Sequence, residues 1–119
     1  MKKRESGSPL SVYAIPEVKT MNKKRFIQKV CTDLGVNPIN VMKKRGTMDE
    51  SDVRHIIRYF LRHAFKMNLR EIGLQTGNVN HSAVCNSINE CENLKATSES
   101  FRIRFDHVFK MLEKHGVLK

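Results

Sequence analysis

The chain has 119 residues, 29% of them charged and 39% hydrophobic, and a formal net charge of +10. That length bounds it to one domain with a modest core, and the positive balance favours an anionic partner, nucleic acid ahead of a membrane surface. No apolar run approaches the ~18 residues of a membrane span; the basic N-terminus lacks a secretory apolar stretch, and no G-x-x-x-x-G-K-[ST] nucleotide loop occurs.

The charge is uneven. Residues 1–45 hold 11 Lys/Arg against 3 Asp/Glu, and residues 46–119 hold 11 against 9. Cys31, Cys85 and Cys91 are odd in number and have no C-x-x-C spacing, so buried free thiols in a reducing compartment are expected. The five histidines show no paired ligand spacing, and no metal or cofactor is expected.

In chain order, residues 1–20 read as a basic flexible tail and residues 21–119 as the folded domain. Met1 to Arg4 is a charge run, and Ser6-Gly7-Ser8-Pro9 is linker chemistry. Val12, Tyr13 and Ile15 either dock on the body in extended form or stay free. Phe26, Ile27, Val30 and Leu34 then give an apolar helical stripe stopped by Gly35, and Asn37-Pro38 opens a short helix through Met42. Lys43-Lys44-Arg45-Gly46 is a basic loop, read either as solvated charge or as a phosphate clamp.

Thr47 with Glu50 forms a T-x-x-E capping box for the longest helix, roughly Asp49 to Lys66. Val53, Ile56, Ile57, Phe60, Leu61, Ala64 and Phe65 follow the helical period without a break, making this the central core element. Arg54, Arg58 and Arg62 form a second stripe at i, i+4, i+8. They are either a snorkelling surface or a ridge that binds nucleic-acid backbone.

Asn68 with Glu71 starts a short helix in which Gly73 allows close packing, and Thr76-Gly77-Asn78 is turn chemistry. Asn80 caps a second helix with Val84, Ile88 and Cys91 on its inner stripe. Ser82, Asn86 and Asn89 fall on the opposite face, with His81 and Cys85 beside them. This is a helix-turn-helix whose outward side chains are small and polar, as a major-groove reader requires, although a plain helical hairpin has the same pattern. Lys95 to Ser98 reads as a linker ending in a cap, and Phe101, Phe105, Val108 and Leu112 as a last amphipathic helix ended by Gly116. About six helices and no strand make the fold class all-α.

From about Lys23 to Leu94 the sequence resembles the C-terminal duplex-binding domain of the bacterial replication initiator DnaA. The landmarks are RFIQKVCTDLGVNPINV, the loop KKRG, DVRHIIRYFLRHAF against the family's "aR.iamyLar", LREIG against "sl.eIG", and NHSAV against D-H-[ST]-[ST]-V. The register is gap-free from Arg54 to Leu94. The resemblance implies a Trp-repressor-like helical bundle that binds double-stranded DNA in the cytoplasm of a bacterium or on behalf of a bacterial virus. It also implies that Arg54 enters the minor groove, that Asn80, His81 and Ser82 read base edges, and that Lys43, Lys44 and Arg45 contact phosphate. Asn78, Asn86 and Arg58 complete the expected DNA-binding set.

The chain departs from the family where Phe-Gly-Gly-Arg-Asp is replaced by Thr76-Gly77-Asn78-Val79-Asn80, and where Ala83 replaces a hydroxyl residue. The target is therefore not assumed to be the family's own, and its role is origin-like binding, regulation, or competition with the initiator. The rival class is an interaction module docking on a replication protein. Such a module need not keep Arg54, Arg58 and the basic loop on the side of His81. An enzyme is not expected, because His81 with Ser82 or Cys85 lacks a third, orienting group.

Overall fold

A computed structural model describes residues 22–42 and 48–114, which form six helices. These are α1 (Lys23–Leu34), α2 (Pro38–Val41), α3 (Met48–His63), α4 (Leu69–Gln75), α5 (His81–Thr97) and α6 (Glu99–Lys114). There is no strand among the described residues, as an all-α fold requires. The expected tail, the Lys43–Arg45 loop, the Thr47 capping box and the Gly116 stop lie outside the described residues.

Short-range chemistry sets the helix boundaries. The Asn22, Asn37, Asn68 and Asn80 side chains accept from Arg25, Ile39, Glu71 and Ala83 amides at 2.7–2.9 Å, each satisfying one of the amides a helix start leaves open. Gly35 takes the left-handed conformation (φ 73°) that stops α1, its amide returning to carbonyls of Cys31 and Thr32.

The interior is organised around α3. Val53, Ile56, Ile57, Phe60 and Leu61 are all buried along it. Phe60 meets Phe26 of α1 edge-on at 6.2 Å and stacks on Phe105 of α6 at 4.9 Å, so one side chain joins three helices. Cys31 and Cys91 are fully buried, and burial pushes the Cys31 thiol up to about 11 and the Cys91 thiol higher still. Both are free thiols kept protonated, as expected from their positions on apolar stripes.

Two boundaries differ from the sequence reading. The long helix ends at His63 rather than Lys66, because Lys66 turns left-handed (φ 59°) and the Met67 amide returns to the Leu61 carbonyl. Arg62 donates to the Met67 carbonyl at 3.0 Å and closes the stop without a glycine. The expected linker Lys95–Ser98 is a single residue, since α5 continues through Thr97. Lys95 is only 3% exposed, its ammonium 4.7 Å from the Tyr59 ring and 4.4 Å from the Phe105 ring, with Glu92 paired at 3.1 Å. Cation–π contact and a nearby carboxylate hold that charge inside, so the helix runs on to bury it. Ser98 then caps α6 by accepting from the Phe101 amide.

Candidate nucleic-acid interface

α4 and α5 are positioned by a close backbone approach. The Val79 amide donates to the Gly73 carbonyl at 3.1 Å, and a Cβ on Gly73 would run into the Val79 carbonyl oxygen. Only glycine fits there, as the expected small residue at this contact implied. Gly77 (φ 114°) and Asn78 (φ 56°) reverse the chain between the helices. A Cβ on Gly77 would lie 3.0 Å from the Met42 carbonyl, so the turn rests against the end of α2.

Beneath the turn the structure places arginines where neither expected role put them. Arg54 is 5% exposed; its Nε donates to the Val41 carbonyl at 2.6 Å and Nη2 to the Asn40 carbonyl at 3.3 Å. Arg58 is 6% exposed; its Nε donates to Thr76 Oγ1 at 2.9 Å and Nη2 to the Thr76 carbonyl at 2.6 Å. Each guanidinium satisfies carbonyls that a helix C-terminus leaves open, Arg54 at α2 and Arg58 at α4. Arg54 and Arg58 are thus internal clamps rather than an exposed ridge or a snorkelling surface, whereas Arg62 is exposed; Arg54 would have to leave both carbonyls to enter a minor groove. Burial lowers the proton affinity of both, Arg58 to about 10 with the neighbouring Arg54 charge adding to the effect.

Both arginines nevertheless reach an open groove of about 580 Å³, lined also by Asn78, Val79, Asn80 and Ala83. The groove ends at the start of α5, whose first turn carries no acidic residue and so presents the positive end of the helix dipole. Along α5 the inner face is Val84, Ser87, Cys91 and Lys95. His81, Ser82, Asn86 and Asn89 are exposed, and Cys85 is half-buried. The side chains of His81, Ser82 and Asn86 have no protein partner among the described residues. Asn80 differs from them: its carbonyl oxygen is held by the Ala83 amide, so it acts as the cap rather than as a free base reader.

The comparison with protein families adds a decisive observation. Residues 24–91, more than half of the chain, match the model described as the bacterial dnaA protein helix-turn-helix. The chain belongs to the bacterial DnaA helix-turn-helix family. The match spans α1 to the middle of α5 and so includes the DnaA-type turn, the groove and the outward face of α5. A search of curated proteins finds no match. As a DnaA-type helix-turn-helix, the chain carries a DNA-binding architecture. No helix among the described residues is long and apolar enough to cross a membrane.

Two features of this DnaA-type site escaped the sequence reading. Thr76 is fully buried, accepting from Arg58 and donating to the Ile72 carbonyl at 2.6 Å, so it braces the turn. His55 and Ser87 share a 2.5 Å hydrogen bond that ties α3 to α5 behind the outward face. Burial first, then the Arg58 and Arg54 charges, lowers the His55 pKa to about 4. The signal for Thr76 was its alignment with a family phenylalanine; for His55 the sequence carried none.

Proposed function

We propose that the protein binds double-stranded DNA sequence-specifically, with α5 in the major groove, at an origin-like or regulatory site. The observation that carries this is the groove that brings Arg54 and Arg58 of α3 beside the start of α5. That is the side on which a DNA binder keeps its cations and a docking module need not. His81, Ser82 and Asn86 read base edges, since their side chains are exposed and uncommitted. Asn78 lies at the groove edge and contacts backbone, and Lys43, Lys44 and Arg45 contact phosphate. Asn80 shapes the helix start, with its amide nitrogen left to donate. Arg54 contributes charge from the groove wall.

Selection of bound sequences from a random duplex library, followed by salt titration on the selected site, tests the reading. A defined consensus is expected, with a steep salt dependence: 6–10 phosphate contacts cost ~10³–10⁵ in affinity between 50 and 200 mM salt. Replacing Lys43, Lys44 and Arg45 with Ala should flatten the slope and leave the consensus unchanged. A slope near zero for the native protein would refute DNA binding, and no consensus would refute specificity.

A further inference from the structure

Departures from the family pattern meet in the groove. Position 58 falls on the methionine of "aR.iamyLar", and positions 76 and 79 fall on the phenylalanine and arginine of Phe-Gly-Gly-Arg-Asp; this chain has Arg58, Thr76 and Val79. Two positions that are apolar in the family pattern hold a guanidinium bonded to a threonine here, and the turn lacks the pattern's cation. Arg58 and Val79 line the same groove.

The charge of Arg58 is buried without an acidic partner. None of the groove residues is a carboxylate, no ion pair involves Arg58 among the described residues, and the neighbouring charge that acts on it is another arginine, Arg54. Its Nε–H and one Nη2–H go to Thr76, which leaves the two Nη1–H groups and the second Nη2–H as uncommitted donors among the described residues. At the groove's other end the His81 and Ser82 amides begin α5, while Asn80 satisfies only the Ala83 amide. The desolvated Arg58 cation beside the positive end of a helix of 17 residues is complementary to one anion, while the charge of the neighbouring Arg54 is partly offset by the Glu50 carboxylate.

We infer that this groove seats one phosphodiester of the bound duplex and that Arg58, braced by Thr76, supplies the cation that the family pattern carries at position 79. The inference rests on the DNA-binding reading. It makes Arg58 a direct contact and Thr76 a positioning residue, and it sets the register of α5 along the duplex through a fixed point rather than through a flexible surface lysine.

The test uses the full chain and its selected site with single uncharged methylphosphonates placed along each strand. In the native protein, one substitution next to the start of α5 should weaken binding several-fold. The double variant R58M/T76F gives both positions the residues of the family pattern; in it that same methylphosphonate should cost nothing further. Its slope of log affinity against log salt should be shallower by ~0.9, one phosphate's worth. Adding V79R to the pair should restore both the slope and the sensitivity. A native scan with no sensitive phosphate at that position overturns the proposal whether or not the variants fold. So does a paired variant that loses thermal stability but keeps the native slope and scan. A native slope near zero would instead sink the DNA reading itself, a distinguishable failure.

Discussion

α3 and α5 are nearly equal in length, 16 and 17 residues, and they pack against each other, yet they use their side chains in opposite ways. α3 turns most of its length inward, two of its three arginines included: Arg54 and Arg58 are buried beside its isoleucines and hold the carbonyl ends of α2 and α4, while Arg62 stays exposed. α5 buries only a narrow stripe and leaves uncharged polar side chains outside. A cation on the core helix can serve the framework even where it also reaches the groove, as Arg58 does, while small amides and hydroxyls on its neighbour form the outward surface. Charge alone is a poor guide to which residue touches a ligand.

The sharpest break of the contrast is at Phe60, which joins α1, α3 and α6. Phe60→Ala should lower unfolding free energy by about 3–5 kcal/mol, a loss readable by urea denaturation and large against the stability of a small domain. A loss below about 1 kcal/mol would mean that α3 is not the central element.

Next in size is a pH effect at the seam between the helices. His55 is neutral when folded, with its pKa lowered to about 4 from an ordinary 6.5. Between those values the unfolded chain binds the extra proton, so this contribution is complete above about pH 6.5 and lost as pH falls toward 4. His63, also lowered by burial, acts in the same direction. Denaturation midpoints measured from pH 7 to 4 should fall, and less so in His55→Gln. Equal pH profiles for the two proteins would show that the His55–Ser87 contact carries no such linkage.

The smallest structural effect belongs to the outward face. Asn86→Ala should leave stability within about 0.5 kcal/mol, because its side chain is exposed and makes no hydrogen bond among the described residues. On the selected duplex it should relax discrimination at one base pair by roughly 1–3 kcal/mol if its amide is paired there. A stability loss as large as that at a buried residue would erase the distinction between framework and surface.

The local code of the fold was legible in the chain itself. Asn37, Asn68 and Asn80 announced helix starts, Gly35 and Gly77-Asn78 announced reversals, and the spacing of Val53 to Leu61 and of Val84 to Cys91 marked the inner faces, because capping, positive φ and helical periodicity act over a few residues. The cap at Asn22 had the same signature and went unread amid Lys23, Lys24 and Arg25. What tertiary structure alone decided was the destination of the polar groups. Arg54, Arg58 and Arg62 at i, i+4, i+8 have one sequence pattern whether they face solvent or a neighbour. Their fate was set by the carbonyl ends of α2 and α4, 13 and 18 residues away, and for Arg62 by the reversal at Lys66. Lys95 looked like the start of a linker because its aromatic partners come from Tyr59 on α3 and Phe105 on α6. A buried cation is tolerable only where acceptors or ring faces have already been brought together, and that assembly is a property of the packed helices.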